Sequence, residues 1–204
     1  MILSKTKFPP LNNRIPNLYL ASQSLRRAQI LRRMNVPFRV VRSAYREKRL
    51  GRNRPELVAI RHACGKALQA IVPKGARLIV GADTVVWCRG RIFGKPLSHQ
   101  AAHQMLFTLS GRVHRVYTGV VLWDRAEKRL RIGAAESRVK IKRLSPKLIK
   151  EYLARINPFD KAGSYAIQLG PKIVERIEGS YTNVMGLPRE LVRAMLKDWC
   201  RETS

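Results

Sequence analysis

Two long apolar runs separated by a polar turn limit this chain more than any other feature. Val113 to Trp123 and Leu130 to Ile141 read as strands, and Asp124 to Lys128 between them is short and polar, so the pair closes as a hairpin. A chain containing such a hairpin is not assembled from parallel crossovers alone. Helix signals surround it. Ser24 stands before a run whose Ile30, Leu31 and Met34 share helical spacing, Ser98 caps a run to Leu109, and Ser145-Pro146 opens another to Leu153. Pro55 starts a helix through Leu68, and Leu187 to Trp199 forms the closing helix. Shorter strands are expected at Asn17 to Ala21, Phe38 to Val41, Leu78 to Val80, Thr84 to Trp87, near Tyr165 and at Ile173 to Ile177. The interleaving predicts an α/β fold, a mixed twisted sheet with helices on both faces. Residues 1–15, with Pro9, Pro10, Asn12 and Asn13, read as an irregular arm, and 16–204 as a single domain, which a chain of this length can also shape as two small lobes around a cleft.

Composition narrows the class. A chain of 204 residues buries roughly 70% of its unfolded surface, enough to fold without disulfides. No apolar run approaches the ~20 residues that span a bilayer. The first ten residues do not read as a secretory signal, and Cys64, Cys88 and Cys200 are odd in number and far apart, so a cytoplasmic location with reduced thiols is expected. Forty-one Lys and Arg against thirteen Asp and Glu give a formal charge of +28. Such a surface attracts polyanions, and non-specific attraction to nucleic acid is one reading. A basic bias shared by the whole proteome is an equally good one. The densest stretch, Arg42 to Arg54, reads as a basic loop that could cover phosphates or touch nucleic acid.

Three segments concentrate groups suited to phosphate chemistry. Ser22-Gln23-Ser24-Leu25-Arg26-Arg27 joins a strand to a helix start, where free N–H groups, hydroxyls and guanidinium groups form an anion socket. Gly81-Ala82-Asp83-Thr84 places a carboxylate in an expected break between two strand segments, at a strand end where it could bind Mg²⁺ or orient water; Gly94-Lys95-Pro96 follows. Asp160 to Tyr165, Ile167-Gln168 and Glu178 to Tyr181 add further carboxylates, a lysine and an amide. Each has a plain alternative: a capped helix, a turn aspartate, a surface ion pair worth less than ~1 kcal/mol. The chain contains no Walker P-loop, GxGxxG, GxSxG or HExxH pattern.

Taken in order, these segments resemble the Maf family of nucleotide pyrophosphatases. The residues carrying the resemblance are LASQSLRR from Leu20, GADTVV from Gly81 with GKP from Gly94, LSGRVHRVYTGV from Leu109, DKAGSYAIQ from Asp160 and VERIEGSYTNVMGLP from Val174. The resemblance implies a fold akin to the inosine-triphosphate pyrophosphatases, with two lobes around a nucleotide cleft, a homodimer, and a divalent metal, Mg²⁺ or Mn²⁺. It implies roles too. Ser22, Arg26 and Arg27 would hold phosphate oxygens, and Lys66 and Lys95 would neutralise the triphosphate. Asp83 would be the central carboxylate, binding metal or activating the attacking water, and Glu47 would help hold the metal, with Thr84 beside the substrate and Gln168 near the phosphates or the base. The DKAGxYxIQ form is similar to the branch acting on dTTP and UTP, whereas a branch preferring 7-methyl-GTP carries a CAG-containing sequence there. Leu25, Gln29, Arg46 and Asn157 depart from the family's pattern, and the last three remove negative charge. A rival reading, a non-catalytic basic regulator of nucleic acid or cell division, would call for aromatics among the basic groups, and only Tyr45 stands in the basic loop.

Overall fold

The computed structural model describes Ile15, residues 18–47 and residues 54–202. The expected arm lies outside the described residues except for Ile15, which is buried in the core, and so do residues 48–53 of the basic loop. No helix among the described residues is long and apolar enough to cross a membrane.

Seven strands form one mixed sheet. β1 (Leu18–Ala21) lies between β2 (Phe38–Val41) and β3 (Leu78–Cys88), parallel to both. β4 (Arg91–Phe93) turns back on the end of β3 through Arg89 and Gly90, both at positive φ. β5 (Val113–Asp124) runs antiparallel to β3, then β6 (Arg129–Ile141) and β7 (Val174–Gly179) continue the antiparallel half, giving the order β2-β1-β3-β5-β6-β7. The hairpin is therefore β5–β6, turned by Asp124–Lys128 as its sequence implies.

Strand alternation sorts the core onto two faces. Even-numbered positions of β3 and β5, such as Leu78, Val80, Val120 and Leu122, pack with α1 (Leu25–Arg33) and α6 (Arg189–Glu202). Further along the same face, Val86 and Val116 pack with α3 (His99–Leu109) and α4 (Pro146–Ala154). The opposite face is covered by α2 (Pro55–Leu68). That helix presents Ala59, Ala63 and Ala67 and sits directly on backbone: a Cβ on Gly81 would stand 2.3 Å from the Ala63 carbonyl oxygen, and one on Gly119 would stand 2.5 Å from Ala59. Two glycines in facing strands thus let α2 approach more closely than side chains would allow.

Two expectations change. Gly81–Asp83 does not break the strand, because β5 pairs with every residue from Leu78 to Trp87. Gly81 is there for α2, not for a turn, and Asp83 is mid-strand. Tyr165 is not in a strand either: it follows one turn of 3-10 helix at Ala162–Ser164, and the Tyr152 hydroxyl serves both the Ala166 N–H and the Ala166 carbonyl where ladder partners would stand. A short helix absent from the sequence reading, α5 (Tyr181–Val184), is capped by Ser180.

Candidate active site

The site lies where the sheet's edge opens. β1 pairs with β3 only over Leu78–Val80, and β4 only over Val86–Cys88. Between them Gly81–Val85 has β5 on one side and, among the described residues, no strand on the other. Ligands gather at such carboxyl ends of parallel strands. A cleft of about 770 Å³ occupies the opening, within the range of small-molecule sites. Ser22, Arg26, Arg27, Glu47, Lys66, Asp83, Thr84, Lys95 and Gln168, nine residues named from sequence and spread over 147 positions, all line it.

Alternation on β3 splits the cleft into two polar halves. Asp83 points to the α2 side, where the close approach at Gly81 brings Lys66 within reach. Lys66 Nζ donates to Asp83 Oδ1 at 2.5 Å and pairs with Glu47 Oε1 at 2.6 Å, so carboxylates from a strand and a loop converge on one ammonium. Partial burial pushes the Glu47 carboxyl up, but Lys66, Lys95 and His62 outweigh it and hold the group below its ordinary value.

Thr84 points to the other side, toward α1. Arg27, buried against α1's own start, donates from Nη1 to Ser22 Oγ (3.0 Å), from Nη2 to Thr84 Oγ1 (3.2 Å) and from Nε to the Gly186 carbonyl (2.7 Å). Thr118 donates to the Asn183 carbonyl, so the Thr84 hydroxyl must donate to Thr118 and accept from Arg27. Every one of these acceptors is neutral. Burial depresses the guanidinium's pKa, with Asp83 opposing, and no described carboxylate forms an ion pair with it. A buried cation without an anion is costly, so this arginine favours an anionic ligand.

Arg26 is differently engaged. Its Nη1 and Nη2 donate to Asp160 Oδ2 (2.8 Å) and the Asp160 carbonyl (2.9 Å), across the cleft mouth. Lys161 reaches the same carboxylate and the Asn157 carbonyl. Lys95 and Gln168 are exposed on the rim. Thr118 and Gly186, which orient Thr84 and Arg27, went unassigned in sequence; they sit in quoted blocks, but nothing local marks their partners.

Residues 17–199 match the family described as Maf-like protein. The chain belongs to that family. Among curated relatives, a dTTP/UTP pyrophosphatase of Gloeobacter violaceus is 43% identical over 185 residues, covering 90% of this chain and 96% of that protein. Another of the same description from Clostridium tetani is 39% identical over 186 residues, covering 89% and 97%. One from Geobacter sulfurreducens is 43% identical over 172 residues, covering 84% and 90%. The family match takes in every segment that lines the cleft, so membership and geometry concern the same residues.

Proposed function

We propose that this protein hydrolyses a pyrimidine nucleoside triphosphate, dTTP or UTP, to the monophosphate and pyrophosphate with the aid of Mg²⁺ or Mn²⁺. One observation carries the reading: a paired-carboxylate corner and a buried arginine with no ion-pair partner among the described residues line the same nucleotide-sized cleft. The names of the relatives support the substrate class.

The donor set suits a hard divalent ion. Asp83 and Glu47 present oxygens 2.5 and 2.6 Å from a single nitrogen, a point already occupied by positive charge. Among the described residues no group of three His, Cys, Asp or Glu gathers. Two carboxylates completed by substrate phosphate oxygens is the arrangement Mg²⁺ commonly takes. When bound, the ion would supply charge neutralisation on phosphate oxygens and acidify a water.

The chain's own residues would do the rest. Arg27, fixed by three hydrogen bonds, holds the phosphate chain with little reorganisation as charge develops. Lys66 and Lys95 neutralise the triphosphate, and Ser22 and Thr84 keep Arg27 aimed. Arg26 would exchange Asp160 for phosphate or keep the cleft mouth closed. Asp83 orients the attacking water or the metal. Attack at the α-phosphorus forms the new P–O bond while the water's proton passes to bulk solvent, and the bond to the bridging oxygen breaks as pyrophosphate leaves with its electrons. A cytoplasmic homodimer belongs to the same reading. Pyrophosphate release from canonical and modified triphosphates, including 7-methyl-GTP, with Mg²⁺, Mn²⁺ or chelator, tests it. Turnover of dTTP and UTP that chelator abolishes is expected; a preference for purines, or none of the panel hydrolysed, would overturn it.

A further inference from the structure

We propose that Tyr45 is a positioning residue for the cleft: its ring, seated in the hollow that Gly65 leaves on α2, fixes where Glu47 stands. This rests on Glu47 serving the metal, as proposed above. The Glu47 side chain is 43% exposed and its described ion pair is with Lys66, a flexible partner. Ion pairs this open hold little by themselves. The segment before it is anchored in order along the end of α2. The Ile71 N–H donates to the Arg42 carbonyl (2.8 Å), Ser43 bridges Ala70, and the Ala44 N–H donates to the Gln69 carbonyl (2.9 Å).

Tyr45 is the last of these anchors. Its hydroxyl is 3.0 Å from His62 Nδ1, one turn before Gly65 on α2, and the two rings are tilted with centroids 5.7 Å apart. A Cβ on Gly65 would fall 2.3, 2.4 and 2.6 Å from Cε2, Cδ2 and Cζ of that ring. A side chain at position 65 and the docked tyrosine therefore exclude each other. Glycine inside a helix weakens it, and the docked ring is the structural counterpart of that weakness. Two residues after the ring, Glu47 meets Lys66, the neighbour of Gly65, at 2.6 Å. Ring and carboxylate thus grip adjacent helix positions, and displacing one moves the other.

The test uses the full chain and Mn²⁺ alone, titrated by the resonance signal of the free ion, alongside melting temperature and pyrophosphate release. Gly65→Ala improves the helix yet expels the ring. Its apparent Mn²⁺ dissociation constant should rise ~10-fold, as expected when a partner that orients a metal ligand is lost, while its melting temperature holds or increases. Tyr45→Ala should give the same Mn²⁺ loss, the double variant no further loss, and Tyr45→Phe near wild-type binding. Wild-type Mn²⁺ affinity in Gly65→Ala, additive losses in the double variant, or no Mn²⁺ binding by the wild type would each overturn the proposal. Failure of the wild type to hydrolyse dTTP or UTP would instead strike the proposed activity, because the Mn²⁺ titration judges Tyr45 independently.

Discussion

Asp83 and Asp124 stand on neighbouring strands of one sheet, both buried, both paired with a cation, yet their surroundings differ in kind. Asp124, at the end of β5, accepts from Arg77 Nε at both oxygens, from Trp199 Nε1 (2.7 Å) and from the Ala126 and Glu127 N–H groups of the hairpin turn. Its carboxyl is pushed up by burial but pulled down further by those donors. Nothing is left for a ligand. Asp83 accepts, among the described residues, from Lys66 alone, and that lysine is shared with Glu47. A saturated carboxylate locks the fold, whereas one with unused lone pairs beside a cleft is available for chemistry.

The contrast can be broken most forcefully at Asp83. Asp83→Asn should lower kcat by ~10³ or more, about 4 kcal/mol in barrier, with a melting temperature near wild type. Near-normal turnover would remove Asp83 from the reaction. Asp124→Ala should do the reverse. Leaving Arg77 and Trp199 without their buried acceptor should cost about 3 kcal/mol of stability in a denaturant titration, while kcat of the folded protein is unchanged. A catalytic loss without a stability loss would erase the distinction.

A third experiment sharpens it with pH. His114 lies deep on the α3–α4 side, its Nε2 2.7 Å from the Tyr165 hydroxyl and its Nδ1 without a hydrogen-bond partner among the described residues. Burial lowers its pKa from 6.5 to about 4. Below about pH 6.5 the unfolded chain binds a proton that the folded one refuses until about 4, so stability is full above that window and falls through it as pH drops. The loss should reach about 3 kcal/mol, measured by denaturant midpoints from pH 7.5 to 4.5, and His114→Asn should flatten that slope. A wild-type profile equally flat would show that the ring titrates normally. The smallest effect belongs to Glu47→Gln, expected to weaken metal-dependent turnover ~10- to 100-fold. A wild-type dependence on Mn²⁺ concentration in that variant would confine the metal role to Asp83.

The elements were legible because their signals are local. Ser24, Ser98 and Ser145 each cap the helix they precede, and each side-chain oxygen accepts from an N–H three residues on. The β5–β6 hairpin follows from its polar turn for the same reason. The cleft residues were legible through family resemblance, which carries information from many sequences that spacing in one does not. Two readings failed where the partner was remote. Gly81 looks like a break until α2 is laid against it, and Tyr165 looks like a strand until Tyr152 takes its neighbour's hydrogen bonds.

What the sequence by itself determined is therefore the set of capped helices and apolar strands, the large excess of positive charge, and the residue types that phosphate chemistry needs. Only the tertiary structure decided which of these act together. Asp83 and Thr84 are adjacent in the chain yet face opposite sides of β3, so one joins Lys66 and Glu47 while the other joins Arg27. The physical reason is range: caps and turns depend on atoms a few residues away, whereas a carboxylate's partners are set by how closely a helix can approach a sheet.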